Sequence, residues 1–405
     1  MINLETPKKF KPLVGQAHQV ATEIFRPISR KYDEEEHTYP KELDMLASLI
    51  DGMNEGSDLG GAGAAGVRRD ENGDGDSGEA RNGSNLATVL GIIELCWGDV
   101  GLLLSMPRQG LGNSAIASVA TEEQLEHYGG KWAAMAITEP EAGSDSAAIR
   151  TTAELDGDEY VLNGEKIFVT SGDRADLIVV WATLDRDKGR AAIKSFIVER
   201  DNPGLKLDRL EHKLGIRASD TANFTLQDCR VPKEALLGSP EVDTKEGFGG
   251  AMQTFDNTRP LVAGMAVGVG RAALEETKTL LAQAGVEIDY TRPALSQHAA
   301  VARFLEMEAD WEAARLLTLQ AAWMADNNKP NSLQASMAKA KAGRACVDVT
   351  LGCVELCGSV GLGESLLLEK WARDSKILDL FEGTQQIQLL IVARQLLGKN
   401  SSELR

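Results

Sequence analysis

The sequence predicts an α+β chain of three domains: a helical N-terminal domain, a central antiparallel β-barrel or sandwich, and a C-terminal four-helix bundle. Three observations carry this. At 405 residues the chain exceeds one ordinary core, so two or three domains are expected. The hydrophobic period changes from helical to strand-like near Trp132 and returns to helical near Gly247. The last stretch holds four long helical patterns with short connections, which read as an antiparallel bundle. The domains then span residues 1–131, 132–243 and 244–405.

In the first segment, Ala17 to Ser29, Lys41 to Met53, Leu86 to Leu104 and Thr121 to Tyr128 carry apolar residues at helical spacing. Thr121-Glu122-Glu123 starts a helix with a capping Thr and first-turn acids. The Gly- and Asp-rich stretch from Ser57 to Asn85 reads as loop. Asp70 to Asp76 mimics the start of an EF-hand, but Arg81 falls where the bidentate Glu belongs, so no calcium site is expected. Strands are expected at Thr151 to Leu155, Tyr160 to Leu162, Lys166 to Thr170, Leu177 to Ala182, Ser195 to Val198 and Ala222 to Leu226. Asp156-Gly157 and Asn163-Gly164 read as hairpin turns. Helices follow at about Thr254–Ala284, Gln297–Asn327, Ser332–Cys357 and Gln385–Leu397. Gly264, Gly268 and Gly270 lie inside a helical pattern with no preceding strand, so close helix packing explains them better than a nucleotide loop.

Composition excludes several functions. A formal net charge of -18 argues against nucleic acid and anionic membrane as partners. An anionic ligand would need local basic residues or helix N-termini. Five unevenly spaced cysteines fit a reducing compartment, and the cytoplasm is the expected location. The first residues carry no signal core, and no apolar run is expected to span a membrane. Cys353 and Cys357 share a helix face without further ligands, so they read as small buried hydrophobes, and no metal is expected. His18, His37, His127 and His212 read as surface or core histidines.

The most informative stretch is Leu380-Phe381-Glu382-Gly383-Thr384-Gln385-Gln386-Ile387-Gln388. It sets one carboxylate among Ile377, Leu378, Leu380, Phe381 and Ile387. Desolvation raises the pKa of such a group and suits it to act as base on a weakly acidic C–H. The plainer reading is a helix C-terminus with Gly383 as cap and Glu382 solvated.

Phe381-Glu382-Gly383-Thr384, Ala136-Ile137-Thr138-Glu139-Pro140-Glu141-Ala142-Gly143-Ser144-Asp145 and Phe255-Asp256-Asn257-Thr258-Arg259-Pro260 together resemble motifs of the flavin-dependent acyl-CoA dehydrogenases. Order and approximate spacing agree, and the resemblance runs from about Glu23 to Lys399. It implies FAD as cofactor, an acyl-CoA substrate, an electron-transferring flavoprotein as acceptor and a homo- or hetero-tetramer. It also implies Glu382 as the base that removes the α-proton while a β-hydride goes to flavin N5. The loop Ala136, Ile137, Thr138, Gly143 and Ser144 would contact flavin, with Ser144 also on the CoA arm. Phe168, Val169 and Thr170 correspond to the strand that covers and hydrogen-bonds the flavin ring; many relatives have Trp where Phe168 stands. Thr384 and Gln386 match residues that hold flavin from the C-terminal domain. Asp256, Arg259 and Gly383 match substrate-binding positions.

One region departs from the family. In homotetrameric relatives a neighbouring subunit grips FAD with an arm bearing Arg, Phe, Gly and Gln. Counting back from Phe304-Leu305-Glu306-Met307, these fall on Glu287, Tyr290, Thr291 and His298, or on Gln297 for the last if the register shifts by one. In a later Gln-x-x-Gly-Gly segment the Gln falls on Glu355 and the Gly pair on Gly358-Ser359. Two carboxylates would face a pyrophosphate, which is repulsive. Either FAD is held differently in a homomer, or a different partner subunit supplies the arm. A non-catalytic partner subunit and a flavin oxidase are the other readings.

Overall fold

The structure, a computed structural model, describes residues 6–54, 83–107, 111–242, 249–400 and 403, without the side chains of 49–54, 111, 118 and 249–257. The EF-hand-like Asp70–Asp76 and the side chain of Asp256 lie outside them. The first part is helical: α1 (Lys11–Val20), a π-helical turn (Ala21–Phe25), α2 (Arg26–Glu34), α3 (Glu42–Asn54), α4 (Ser84–Gly98), α5 (Val100–Leu104), α6 (Leu111–Val119) and α7 (Glu122–Tyr128). The expected helix from Leu86 to Leu104 is in fact two. Asp99 turns extended and caps α5, its carboxylate accepting from Leu102 N at 2.8 Å. Thr121 forms a full capping box with Gln124, as its sequence neighbourhood suggests.

The central sheet comprises β1 (Ala133–Ala136), β2 (Thr152–Asp156), β3 (Glu159–Thr170), β4 (Leu177–Thr183), β5 (Ile193–Glu199), β6 (Leu205–Leu210), β7 (Thr221–Pro232) and β8 (Leu236–Leu237). Their order is β6-β7-β3-β2-β4-β5-β8, with β1 also paired to β4. The sheet is mixed rather than purely antiparallel, because β1 runs parallel to β4. Asn163-Gly164 is not a hairpin; it is an irregularity inside the single strand β3. Gly164 has φ of 156°, and a Cβ there would lie 2.4 Å from Thr151 Oγ1, so glycine serves close approach rather than a turn.

The last part comprises α8 (Gly249–Gln283), α9 (Ala299–Asp326), α10 (Ser332–Leu362), α11 (Leu368–Leu378) and α12 (Gln385–Leu397). The sequence pattern missed α11. A Cβ on Gly268 would lie 2.4 Å from Ile93 O of α4, which bears out the close-packing reading of that glycine. Contrary to expectation, α10 is long and apolar enough to cross a membrane by length and composition. Here it is a bundle helix, burying Ala338, Ala342, Ala345, Cys346, Val349 and Cys353 in a core shared with α4 and α8. All five cysteines are free.

A buried polar network ties the three parts together. Lys370 of α11 donates to Asp99 at 2.7 Å and to Asp374 at 2.6 Å, and Asp374 accepts from Ile216 N, beyond β6, at 2.5 Å. Arg373 pairs with Asp33 of α2 at 2.6 Å.

Candidate active site

The turn between α11 and α12 is built to hold one carboxylate. α11 stops at Leu378, and Phe381 N still donates to Ile377 O at 3.0 Å. Glu382 then adopts φ of 56° and Gly383 φ of 90°. A side chain on Gly383 would meet Gln388 Nε2 at 2.4 Å. Left-handed backbone at a glutamate is costly, and such strain persists only where surrounding contacts fix it. Gln388 Nε2 donates to Glu382 O at 3.0 Å, and Lys339 Nζ donates to Gly383 O at 2.7 Å. Thr384 caps α12, its hydroxyl accepting from Ile387 N at 3.4 Å. Gly383 is therefore no helix C-cap, because α11 ends before it and α12 begins after it.

Thr258 of α8 donates to Glu382 Oε2 at 3.0 Å. Burial pushes the Glu382 carboxyl above its ordinary value of 4.5, and the Thr258 hydrogen bond and the Arg259 and Lys339 cations oppose this without cancelling it. The residue as a whole is half-buried, yet its carboxylate is crowded enough for desolvation to dominate. Burial lowers Lys339 to about 8, against the pull of Asp379 and Glu382.

The motif loop after β1 is anchored separately. Glu139 is buried and accepts from Arg150 N at 2.6 Å, Thr151 N at 2.9 Å and Thr151 Oγ1 at 2.6 Å. Its ion pair with the fully buried Lys166 of β3 closes at 2.7 Å, and Lys166 also donates to Ile137 O at 3.1 Å. Ile167 N donates to Thr138 O at 2.9 Å. The loop is thus clamped at its root, while Gly143 and Ser144 stay exposed.

Two residues past Lys166, Phe168 sits in a bulge of β3 with φ of 59° and 59% exposure. Its N–H donates to Asn223 Oδ1 at 3.2 Å, and Asn223 Nδ2 donates to Glu211 at 2.6 Å. An aromatic side chain turned outward by a bulge presents a stacking face. Thr170, two residues on, is half-buried, as are Ile137 and Thr138 of the loop that bonds Ile167, whereas Ala136 and Val169 are in the sheet core and offer a ligand only backbone. Thr384 is half-buried and Gln386 exposed. Arg259 is 3% exposed, so it is not a surface group. These groups suit a flat aromatic cofactor held against the sheet. Sequence reasoning missed Thr258, Lys339, Gln388, Glu139 and Lys166 as site-building residues. Thr258 and Glu139 stood inside the recognised motifs, but a lysine in the alanine-rich α10 reads as surface.

The departing arm lies elsewhere. Glu287 and Glu355 are exposed, as are Thr291, Gly358 and Ser359. The Tyr290 hydroxyl bonds Glu308 and Lys278, each at 3.0 Å. His298 caps α9. Gln297 spends its amide inside the connecting turn, donating to Asp289 O at 2.8 Å and accepting from Asp289 N at 3.1 Å. None of these groups offers a cation to a pyrophosphate.

Comparisons with known proteins agree with the geometry. The acyl-CoA dehydrogenase middle-domain family matches residues 134–229, and the acyl-CoA dehydrogenase C-terminal-domain family matches residues 245–397. The short-chain specific acyl-CoA dehydrogenase of Bos taurus mitochondria is 33% identical over 98% of this chain and 92% of its own. The structure of butyryl-CoA dehydrogenase from Megasphaera elsdenii superposes with a TM-score of 0.82 at 31% identity, covering 98% of this chain and 100% of that one. A structure described as concerning the electron transferring flavoprotein of Acidaminococcus fermentans superposes with a TM-score of 0.80 at 31% identity, covering 98% and 100%. The chain belongs to the acyl-CoA dehydrogenase family, whose members are flavoprotein oxidoreductases acting on acyl-CoA.

Proposed function

We propose that this protein is an FAD-dependent dehydrogenase that converts an acyl-CoA thioester to the trans-2-enoyl-CoA, with Glu382 as the base. The observation that carries it is the Glu382 carboxylate, desolvated, held on left-handed backbone and fixed at one oxygen by Thr258. Thr258 engages Oε2, which leaves Oε1 for the α-proton. Among the described residues Glu382 N–H donates to no backbone acceptor, so it is available to the thioester carbonyl, where negative charge develops. Arg259 and Lys339 favour the ionised form of the base, opposing the rise that its burial causes. FAD, when bound, supplies the acceptor for the β-hydride. Phe168 supplies its stacking face, and the Lys166–Glu139 clamp positions the loop that carries Thr138, Gly143 and Ser144. Gly383, next to the base, would bound the thioester end of the substrate site, and Arg259 would line the pantetheine and nucleotide end of CoA.

Electrons then pass to an electron-transferring flavoprotein, and a second subunit completes the FAD pyrophosphate site. The relatives make short acyl chains the first to test. Anaerobic addition of butyryl-CoA to the FAD-loaded protein should bleach the flavin, and turnover should require an artificial dye or the flavoprotein acceptor. No bleaching by any acyl-CoA sinks the proposal. Rapid peroxide formation in air without acceptor makes the protein an oxidase.

A further inference from the structure

Sequence spacing gave no reason to link His37 with His212, yet the fold brings them together. His37 lies just past α2 and His212 just past β6, 175 residues apart along the chain. Their rings meet edge to face with centroids 4.8 Å apart. Glu36 joins them: its Oε2 lies 2.8 Å from His212 Nδ1. One ligand atom from each of the three residues falls within 4.8 Å of the others.

Three features distinguish this cluster from a chance surface group. Both ring nitrogens of His37 are buried and without a hydrogen-bond partner. Leaving buried polar atoms unpaired costs about 1 to 3 kcal/mol, so a native fold usually fills them. His37 also stands on left-handed backbone, with φ of 69°. Finally, the Glu36 carboxylate is oriented by a further contact, accepting from Lys213 N at 2.8 Å through Oε1. The nearby Lys213 ammonium is engaged elsewhere, donating to Ser219 O at 2.7 Å.

We propose that Glu36, His37 and His212 form a binding site for a divalent transition-metal cation of the zinc class. Two imidazoles and one carboxylate are a borderline donor set, which suits Zn2+, Co2+ or Ni2+ better than Mg2+ or Ca2+. Zinc ligands stand about 2.0 to 2.2 Å from the ion, so the three atoms must draw inward by roughly 1 Å. His212, whose side chain is 83% exposed, is free to make that movement. The bound ion would staple the end of α2 to the segment after β6. That segment begins with Glu211, which holds Asn223 and through it the Phe168 bulge.

The test uses full-length, FAD-loaded protein freed of any histidine tag and treated with chelator. Equilibrium dialysis against ZnCl2 should show one saturable site per chain, and Zn2+ should raise Tm. His212→Ala, at an exposed position, should leave the metal-free Tm unchanged and weaken binding at least about tenfold, the loss typical of removing even an outer partner of a metal site. Glu36→Gln should do likewise. Absence of saturable binding overturns the proposal. So does Zn2+ bound as tightly by His212→Ala, which would place the ion away from this cluster.

Discussion

Two carboxylate-bearing regions of this molecule contrast sharply. In the turn from Asp379 to Gln388, Glu382 is half-buried, hydrogen-bonded by Thr258 and flanked by Arg259 and Lys339. In the arm region, Glu287 and Glu355 are exposed, with no hydrogen bond or ion pair among the described residues. The first region carries its own counter-charges and has its pKa set by the chain itself. The second carries acids where the family it resembles places Arg and Gln, and among the described residues no cation pairs with them. Under the proposed function, the base would be complete in one chain, whereas the grip on an anionic cofactor would need a second.

Removing the base tests the first half of that contrast most severely. Glu382→Gln keeps the shape of the side chain and the Thr258 contact but cannot accept a proton. Substrate-dependent flavin bleaching should slow by about a hundredfold to ten-thousandfold, the span a positioned base supplies. Near-wild-type bleaching would move the base elsewhere.

The clamp under the motif loop comes next. Lys166→Met leaves the buried Glu139 without its counter-charge, though still hydrogen-bonded by Arg150 N and Thr151; breaking a buried pair costs about 3 to 5 kcal/mol in comparable sites. Urea unfolding should show that loss. The double variant Lys166→Met with Glu139→Gln should recover much of it, because the stranded charge is gone. A single variant as stable as the parent would mean that the pair contributes nothing to the loop.

A smaller effect is expected at Lys339. Lys339→Met removes one of the two cations beside Glu382, so the acidic limb of the rate profile should move to higher pH. The stability sign runs the other way. In the folded chain Lys339 titrates at about 8, below its ordinary 10.5. The folded protein therefore releases this proton first, and stability gains from this group as pH rises from about 8 toward 10.5. Below pH 8 the buried ammonium costs stability, and the same holds for Lys166, which burial also lowers to about 8. Lys339→Met breaks no ion pair like the one Lys166 makes with Glu139, so its effect on the fold at pH 7 should be the smaller. An unmoved acidic limb would show that Arg259 alone sets the charge state of the base.

What the sequence disclosed follows the same division between local and long-range order. The Thr121 cap, the helix Gln385–Leu397 and the helical, β, helical sequence of the chain depend on near neighbours, and all were legible. Asn163-Gly164 misled because a glycine needed to let Thr151 approach looks the same in sequence as a glycine in a turn. α11 was missed because its buried residues include Lys370, Asp374 and Ser375 beside Leu368, Trp371 and Leu378, so burial there does not follow apolarity. Glu382 stood out by its apolar neighbours, but Lys339 arrives from 43 residues away on α10, and spacing cannot report that encounter. The same holds for His37 and His212.

The arm offers the mildest and most discriminating test. If a different subunit completes the FAD site, this chain expressed alone should hold FAD weakly. Co-expression with the right partner should then give about one FAD per heterodimer, since only one of the paired sites has both halves intact. Glu287→Arg exchanges an exposed acid for a guanidinium, which pairs with phosphate oxygens in two directions. An exposed pair is screened by water, so flavin affinity of the chain expressed alone should rise only about threefold to tenfold, or roughly 0.7 to 1.4 kcal/mol. Fluorescence titration of free FAD measures it. Lys, with the same charge but no fork, should achieve less than Arg, and Glu287→Gln should lie between the parent and either cation. A stable homo-oligomer that already holds one tight FAD per chain, unchanged by Glu287→Arg, would place both acids in solvent, away from the pyrophosphate. The contrast between the two regions would then be one of exposure alone.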